Sequence, residues 1–361
     1  MFRSSPLVAR VLRWLAPALL GMPVALFAQT VTGVGFHAIS MHDPVGGGSM
    51  PGYVFYPSAQ ATGSTRLGAY EVAGVADAPA MPGAKPLVVI SHGHGGSAVG
   101  HHDLAVYLAR HGFVVATLEH PKDNFHDISG FGQASTLIGR PVQVSATISM
   151  LLSDAHWKTL IDPSRIGVAG FSAGGYTSLL LAGAIPSFRL FNDYCQRHPQ
   201  DPEICGDELK RMLAAHKNTG DGNDLVVPLQ ALQNDLKRWG DTADPRVKSV
   251  FSMAPLSLVF DAAGIDAIDR PVFLYYGEHD HVLIPTENAE HIRPWIKTLA
   301  GVKVVPKADH WVFLSPCSAE LAKQAHDICT DPAGVNRTEV HAQINADALA
   351  FFRKTLAVSA D

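Results

Sequence analysis

The chain has 361 residues, 47% hydrophobic and 17% charged, with 28 Lys and Arg against 33 Asp and Glu and a formal net charge of −5. That length suits one large α/β domain, and the apolar fraction supplies a sizeable core, which argues against a disordered chain. The acidic balance and the lack of a basic stripe argue against a nucleic-acid partner.

In chain order, the first segment reads MFRSSPLVARVLRWLAPALLGMPVALFAQT. Arg3, Arg10 and Arg13 form a positive region, an apolar stretch runs from Trp14 to about Phe27, and a cleavage point falls after Ala28. This is the pattern of a secretory signal, although Leu26 is larger than usual three residues before the cut. Pro17, Gly21 and Pro23 interrupt the stretch. It also falls short of the ~20 residues that span a bilayer, so stable membrane insertion is not expected. The expected division is a signal peptide at 1–28 and a mature domain at 29–361, acting in the periplasm or outside the cell. Cleavage removes three arginines and no acid, taking the net charge from −5 to −8.

GVGFHAISM and GYVFYPS then predict two strands joined by the turn DPVGGGSMP, and 58–86 predicts a surface connection. Alternation follows. KPLVVIS, FVVATLEHP, SRIGVAGF, VKSVFSMAP, RPVFLYYGEHD and VKVVPKADH predict strands. HHDLAVYLARHG, QVSATISMLLSDAH, AGGYTSLLLAGAI, PTENAEHIRPWIKTL and TEVHAQINADALAFFRKTL predict helices, the first ending on Gly112. Strands this apolar, separated by helices, predict an α/β fold with a mostly parallel sheet covered on both faces. Residues about 186–245 break the alternation with a more charged, helical stretch. They predict an inserted helical cap, or a solvated decoration, over one end of the sheet.

Four cysteines lie in the second half as two close pairs, Cys195 with Cys205 and Cys317 with Cys329. In an exported chain they predict two disulfides, each contributing about 2–4 kcal/mol. No CxxC spacing favours zinc.

The chemistry centres on Gly170-Phe171-Ser172-Ala173-Gly174, a G-x-S-x-G pentapeptide. A predicted strand precedes it and a predicted helix follows, the context of a nucleophile elbow. There Gly170 and Gly174 allow close backbone approach, and the helix N-terminus favours developing negative charge. A serine hydroxyl needs a base, and His310, on the loop after the final strand, is in position. His326 and His341 come later, in predicted helical segments.

The acid that orients the base is expected at Asp280, with Glu278 its near rival and Asp261, Asp266 and Asp269 further rivals. Asp309 is too close in sequence to bridge to the far side of the His310 ring. The Gly-rich turn His92-Gly93-His94-Gly95-Gly96 is expected to supply an oxyanion hole from the backbone N–H groups of His94 and Ala173. A metal site built on His92, His94, His101 and His102, or on GEHDH, is the competing reading, without a supporting carboxylate or thiolate pattern. No phosphate-binding loop is present in the sequence.

On these residues the chain resembles the α/β-hydrolase superfamily, and more narrowly the bacterial "predicted dienelactone hydrolase" group related to platelet-activating-factor acetylhydrolases. The segments that carry the resemblance are YVFYPS, PLVVISHGHGGSAVGHHDLAVYLARHGFVVATLEHP, GVAGFSAGGYTSL, PVFLYYGEHDHVLIP, KADHWVFLSPC and ICTDPAGVNRTEVHAQINADALAFF. It extends over nearly all of the mature chain and is weak in 186–245. The resemblance implies an α/β-hydrolase fold and a Ser-His-Asp carboxylic-ester hydrolase that needs no cofactor, with Ser172, Asp280 and His310 at the triad positions and His94 and Ala173 at the oxyanion hole.

Two departures matter. Dienelactone hydrolases proper use a cysteine nucleophile, which puts dienelactone itself in doubt as a substrate. The acetylhydrolases place their acid after an earlier strand, which here ends in SMAPLS without an aspartate at its tip. The expected substrates are small-molecule, lipid or polyester esters. A peptidase or amidase on the same triad, a non-catalytic binding module and a histidine-based metal-binding protein are the alternatives.

Overall fold

A computed structural model describes residues 33–206 and 242–357. The expected signal peptide, and residues 207–241 of the expected cap, lie outside the described residues. β1 (Gly33–His42) and β2 (Ser49–Ser58) form the expected antiparallel hairpin, with Gly33 opposite Ser58 and His42 opposite Ser49. The connection 58–86 carries more structure than its composition predicts. β3 (Thr65–Leu67) pairs with β4 (Tyr70–Val72), and β5 (Val75–Ala76) adds to β1.

The alternating series then runs through β6 (Lys85–Ser91), β7 (Val114–Leu118), β8 (Ile161–Phe171), β9 (Val247–Met253), β10 (Val272–Gly277) and β11 (Leu299–Val305). The nine-stranded sheet has the order β11-β10-β9-β8-β6-β7-β2-β1-β5. Its six strands from β11 to β7 are parallel, and β2 joins β7 antiparallel.

Both faces are covered, as continuous apolar strands require. Period-two alternation sends Leu87 and Val89 of β6 toward Val144 and Ile148 of α3 (Gly139–Ser153), which follows the short α2 (Ala134–Leu137), and toward Leu179 and Leu180 of α4 (Ala173–Leu181). Val88 and Ile90 point the other way. They meet Leu104 and Leu108 of α1 (His102–Arg110) and Ile344 and Phe352 of the C-terminal helix Arg337–Thr355. Burying each such side chain contributes about 1.5–3 kcal/mol.

One expected helix is not there. The segment 285–299 divides into a 3₁₀ turn at Pro285–Glu287, a helical turn at Ala289–Ile292 and a second 3₁₀ turn at Arg293–Trp295. Asn288 has φ −124° and ψ −103°, outside the helical region. Its side-chain oxygen instead accepts from the backbone N–H groups of Ser257 and Leu258, at 2.9 and 3.1 Å. Pro294 then lacks the N–H that a helical ladder would need.

The described part of the expected cap contains α5 (Phe188–Arg197), which the Cys195–Cys205 disulfide ties to the following turn. The second disulfide joins Cys317 to Cys329. Because β6 to β11 are parallel, their following loops emerge along one edge of the sheet. β6 and β8 are neighbours there, while the chain goes from β6 to β7 on one side and from β8 to β9 on the other. That reversal opens a crevice at the carboxyl ends of the strands, the place where open α/β sheets bind ligands.

Candidate active site

Ser172 stands in this crevice between β8 and α4, with φ 56° and ψ −116°. A positive φ in a non-glycine residue costs about 1–3 kcal/mol and persists only where its surroundings fix it. Here the Ser172 N–H donates to the Met253 carbonyl at 2.9 Å, and its own carbonyl accepts from Tyr176 and Leu256. The flanking glycines are required sterically. A Cβ on Gly170 would lie 2.0 Å from the Gly174 carbonyl oxygen, and one on Gly174 would lie 1.9 Å from that of Ser91. The pentapeptide is therefore the point at which strand, helix and neighbouring strand nearly touch.

His310 follows β11 and opens the turn His310–Phe313. Its Nδ1 lies 2.7 Å from Asp280 Oδ2, and both residues are buried, at 1% and 3% exposure. The other carboxylate oxygen accepts from the N–H groups of Val282 and Leu283, at 3.0 and 2.7 Å. A carboxylate against Nδ1 puts the ring proton there and leaves the lone pair on Nε2. The ring packs on Phe171 with centroids 4.7 Å apart.

The rival acids have other partners. Glu278 accepts from the Lys307 N–H, and Asp261 caps Gly264. Asp266 pairs with Lys297, and Asp269 with Arg270. Asp309 bonds the backbone N–H of His310 and the ring of His281.

Ser172 and His310 border one cavity of about 250 Å³, walled mainly by apolar groups including Phe131, Leu137, Phe191, Ile204 and Trp311. Phe191 and Ile204 come from the described part of the expected cap. His94 also borders it. The loop that carries His94 comes close to the serine, since a Cβ on Gly93 would lie 3.2 Å from Ser172 Cβ. Ala173 is the first residue of α4, so its N–H has no acceptor within the helix.

Beneath the loop lies a buried group that the sequence reading missed. The His94 ring donates through Nδ1 to Asp123 Oδ1, and the Gly95 N–H approaches the same oxygen at 3.3 Å. Arg140, 1% exposed, holds the other Asp123 oxygen. Burial alone would raise the Asp123 carboxyl, but the Arg140 guanidinium and the His94 bond bring it below the usual carboxylate range. The available signal was a lone arginine inside the otherwise uncharged run STLIGRPVQV.

The other histidines of SHGHGGSAVGHH serve separate settings. His92 lies 2.6 Å through Nδ1 from the Gly93 carbonyl and accepts at Nε2 from the His120 N–H. Burial, with Arg140 nearby, pushes its pKa down to about 3. Burial likewise takes His101 down to about 4. His102 packs edge-on against Tyr70. Among the described residues, no three His, Cys, Asp or Glu side chains are grouped to hold a metal ion.

Comparison with known proteins follows the same lines. A family model described as platelet-activating factor acetylhydrolase, isoform II, matches residues 58–136, from the end of β2 through the His94 loop and Asp123. No curated protein matches the sequence. Among solved structures, a ferulic acid esterase from Streptomyces cinnamoneus superposes with a TM-score of 0.59 at 16% identity, over 94% of each chain. The sheet and its helical layers thus share the fold of that esterase, and the stretch 58–136 is similar to the acetylhydrolase family model.

Proposed function

We propose that the protein is a serine hydrolase that cleaves carboxylic esters. In this reading Ser172 attacks the ester carbonyl while His310 Nε2 accepts its proton, and buried Asp280 stabilises the resulting imidazolium. The backbone N–H groups of His94 and Ala173 hold the oxyanion, each worth about 3 kcal/mol in the transition state. His310 then protonates the leaving alcohol, and a water activated by the same ring releases the acid from the acyl-enzyme. The observation that carries this reading is the 2.7 Å His310–Asp280 pair beside the cavity where Ser172 stands on a strained turn.

The apolar wall favours an uncharged acyl group, such as that of a small, lipid or polyester ester. The match to the acetylhydrolase model and the likeness to a ferulic acid esterase support ester rather than amide chemistry. The two disulfides support action in an oxidising compartment, the periplasm or the medium, after removal of residues 1–28.

The test is Ser172→Ala with p-nitrophenyl acetate as substrate. Hydrolysis is expected to fall to background while the thermal transition stays within a few degrees of wild type. A variant that still turns over would overturn the assignment.

A further inference from the structure

Arg140 is a large cation with 1% exposure, yet it sits below a cavity and not in a salt-bridge network at the surface. Burying an arginine–aspartate pair is costly, and well-packed apolar side chains would stabilise such a site as well or better. The position of its bonds gives it a different value. Through Nη2 it donates to the His92 carbonyl, immediately before the Gly93–His94 turn, and to Ser91 Oγ at 3.3 Å. Through Nη1 it holds Asp123, which in turn holds the His94 ring and the Gly95 N–H. Through Nε it donates to Thr177 Oγ1 at 3.2 Å, and that hydroxyl donates to the Ala173 carbonyl at 2.8 Å. One guanidinium therefore reaches both residues whose amides are assigned to the oxyanion.

We infer that Arg140 is a positioning residue that locks the His94 loop and the start of α4 into one oxyanion-binding geometry, with Asp123 and Thr177 as its two arms. The inference rests on the proposed reading of Ser172 as nucleophile. The planar fork is what the task needs, because donors in fixed directions engage four separate acceptors at once. A lysine ammonium is a single point and cannot span them. Preorganised donors act on the transition state more than on the bound ester, so loosening them lowers kcat more than it raises KM.

The test uses three variants of the full chain, each assayed per active site as titrated with a fluorophosphonate. Arg140→Lys keeps the charge and removes the fork. The double variant R140M/D123N removes both buried charges together, so that neither is left unpaired. Thr177→Val is near-isosteric and cuts only the arm to Ala173. For the first two, kcat on p-nitrophenyl acetate is expected to fall about 10²-fold with KM within about threefold of wild type. For Thr177→Val, a fall of about tenfold is expected. Affinity for a trifluoromethyl ketone, which needs the oxyanion hole, should fall in the same order. A merely structural role would lower the melting temperature and leave kcat per titrated site and ketone affinity unchanged, and that result in any of the three overturns the inference. If instead Ser172→Ala retains wild-type turnover, the reading of Ser172 itself falls. An inactive Ser172→Ala beside Arg140 and Thr177 variants of unchanged kcat sinks this inference alone.

Discussion

At the scale of single residues, Asp280 is held on both sides. Both its oxygens are occupied, one by His310 and one by two backbone N–H groups, so the carboxylate cannot turn away. Asp280→Asn would keep the shape and present an amide that favours the wrong ring tautomer of His310. We expect kcat to fall about 10³–10⁴-fold with little change in KM or folding, read by steady-state kinetics beside a thermal melt. A loss below tenfold would mean that another acid orients the ring.

Ser172, His310, Asp280 and His94 were legible in the sequence because each follows a strand whose order fixes its place. The sequence favours Asp280 and leaves Glu278, Asp261, Asp266 and Asp269 as rivals; of these five, Asp280 is the one that meets the His310 ring in the structure. Asp123 and Arg140 were not legible. Their significance lies in bonds between residues 17 apart, and between Arg140 and a carbonyl 48 positions away, which no local pattern encodes.

At the scale of elements, the turn His310–Phe313 is held from behind by the C-terminal helix. His341 on that helix contacts Asp103 Oδ2 of α1 through Nδ1 at 2.7 Å and the Val312 carbonyl through Nε2 at 2.8 Å. Both partners are acceptors, so the arrangement favours the doubly protonated ring. Ser315 and Asn345 also donate to Asp103. Burial acts to lower the His341 pKa, but the Asp103 carboxylate and the two hydrogen bonds raise it above its ordinary 6.5, even with Arg337 opposing. Burial likewise acts to raise Asp103, and the His341 cation with three hydrogen bonds pulls it well below its ordinary 3.8. Buried His101 and the neighbouring His102 face the same pair and disfavour a further positive charge.

The stability that His341 contributes is present below about pH 6.5 and is lost as pH rises through its raised folded value. That of Asp103 is present above about pH 4 and is lost as pH falls through its depressed folded value. The pair therefore stabilises most between about pH 4 and 6.5. Urea unfolding of wild type and His341→Gln across pH should show a gap of about 3–5 kcal/mol in that window, shrinking above it. A gap that stays constant to pH 9 would contradict the assignment of a buried imidazolium.

Element boundaries followed apolar periodicity well wherever both faces of a strand are buried. The miss at 285–299 arose because helical spacing was present while Asn288 found better partners in the loop after β9.

At the scale of the whole molecule, the parallel series does the assembling. Ser172, Asp280, His310 and His94 are separated by up to 216 positions in sequence, yet each lies just beyond the carboxyl end of a parallel strand, β8, β10, β11 and β6. The sheet could be anticipated from continuous apolar runs and intervening helices, and with it the edge where the site forms. The cavity wall could not, because Phe131, Phe191 and Ile204 come from loops and from the start of the expected cap, whose packing no periodicity encodes.

Covalent labelling asks whether this edge holds an activated serine. The purified protein would be treated with a fluorophosphonate and its peptides mapped by mass spectrometry, with Ser172→Ala and His310→Ala alongside. One adduct is expected, on Ser172, absent in Ser172→Ala and formed far more slowly in His310→Ala. Ester hydrolysis with Ser172 unmodified, or with the adduct on another residue, would contradict an activated Ser172.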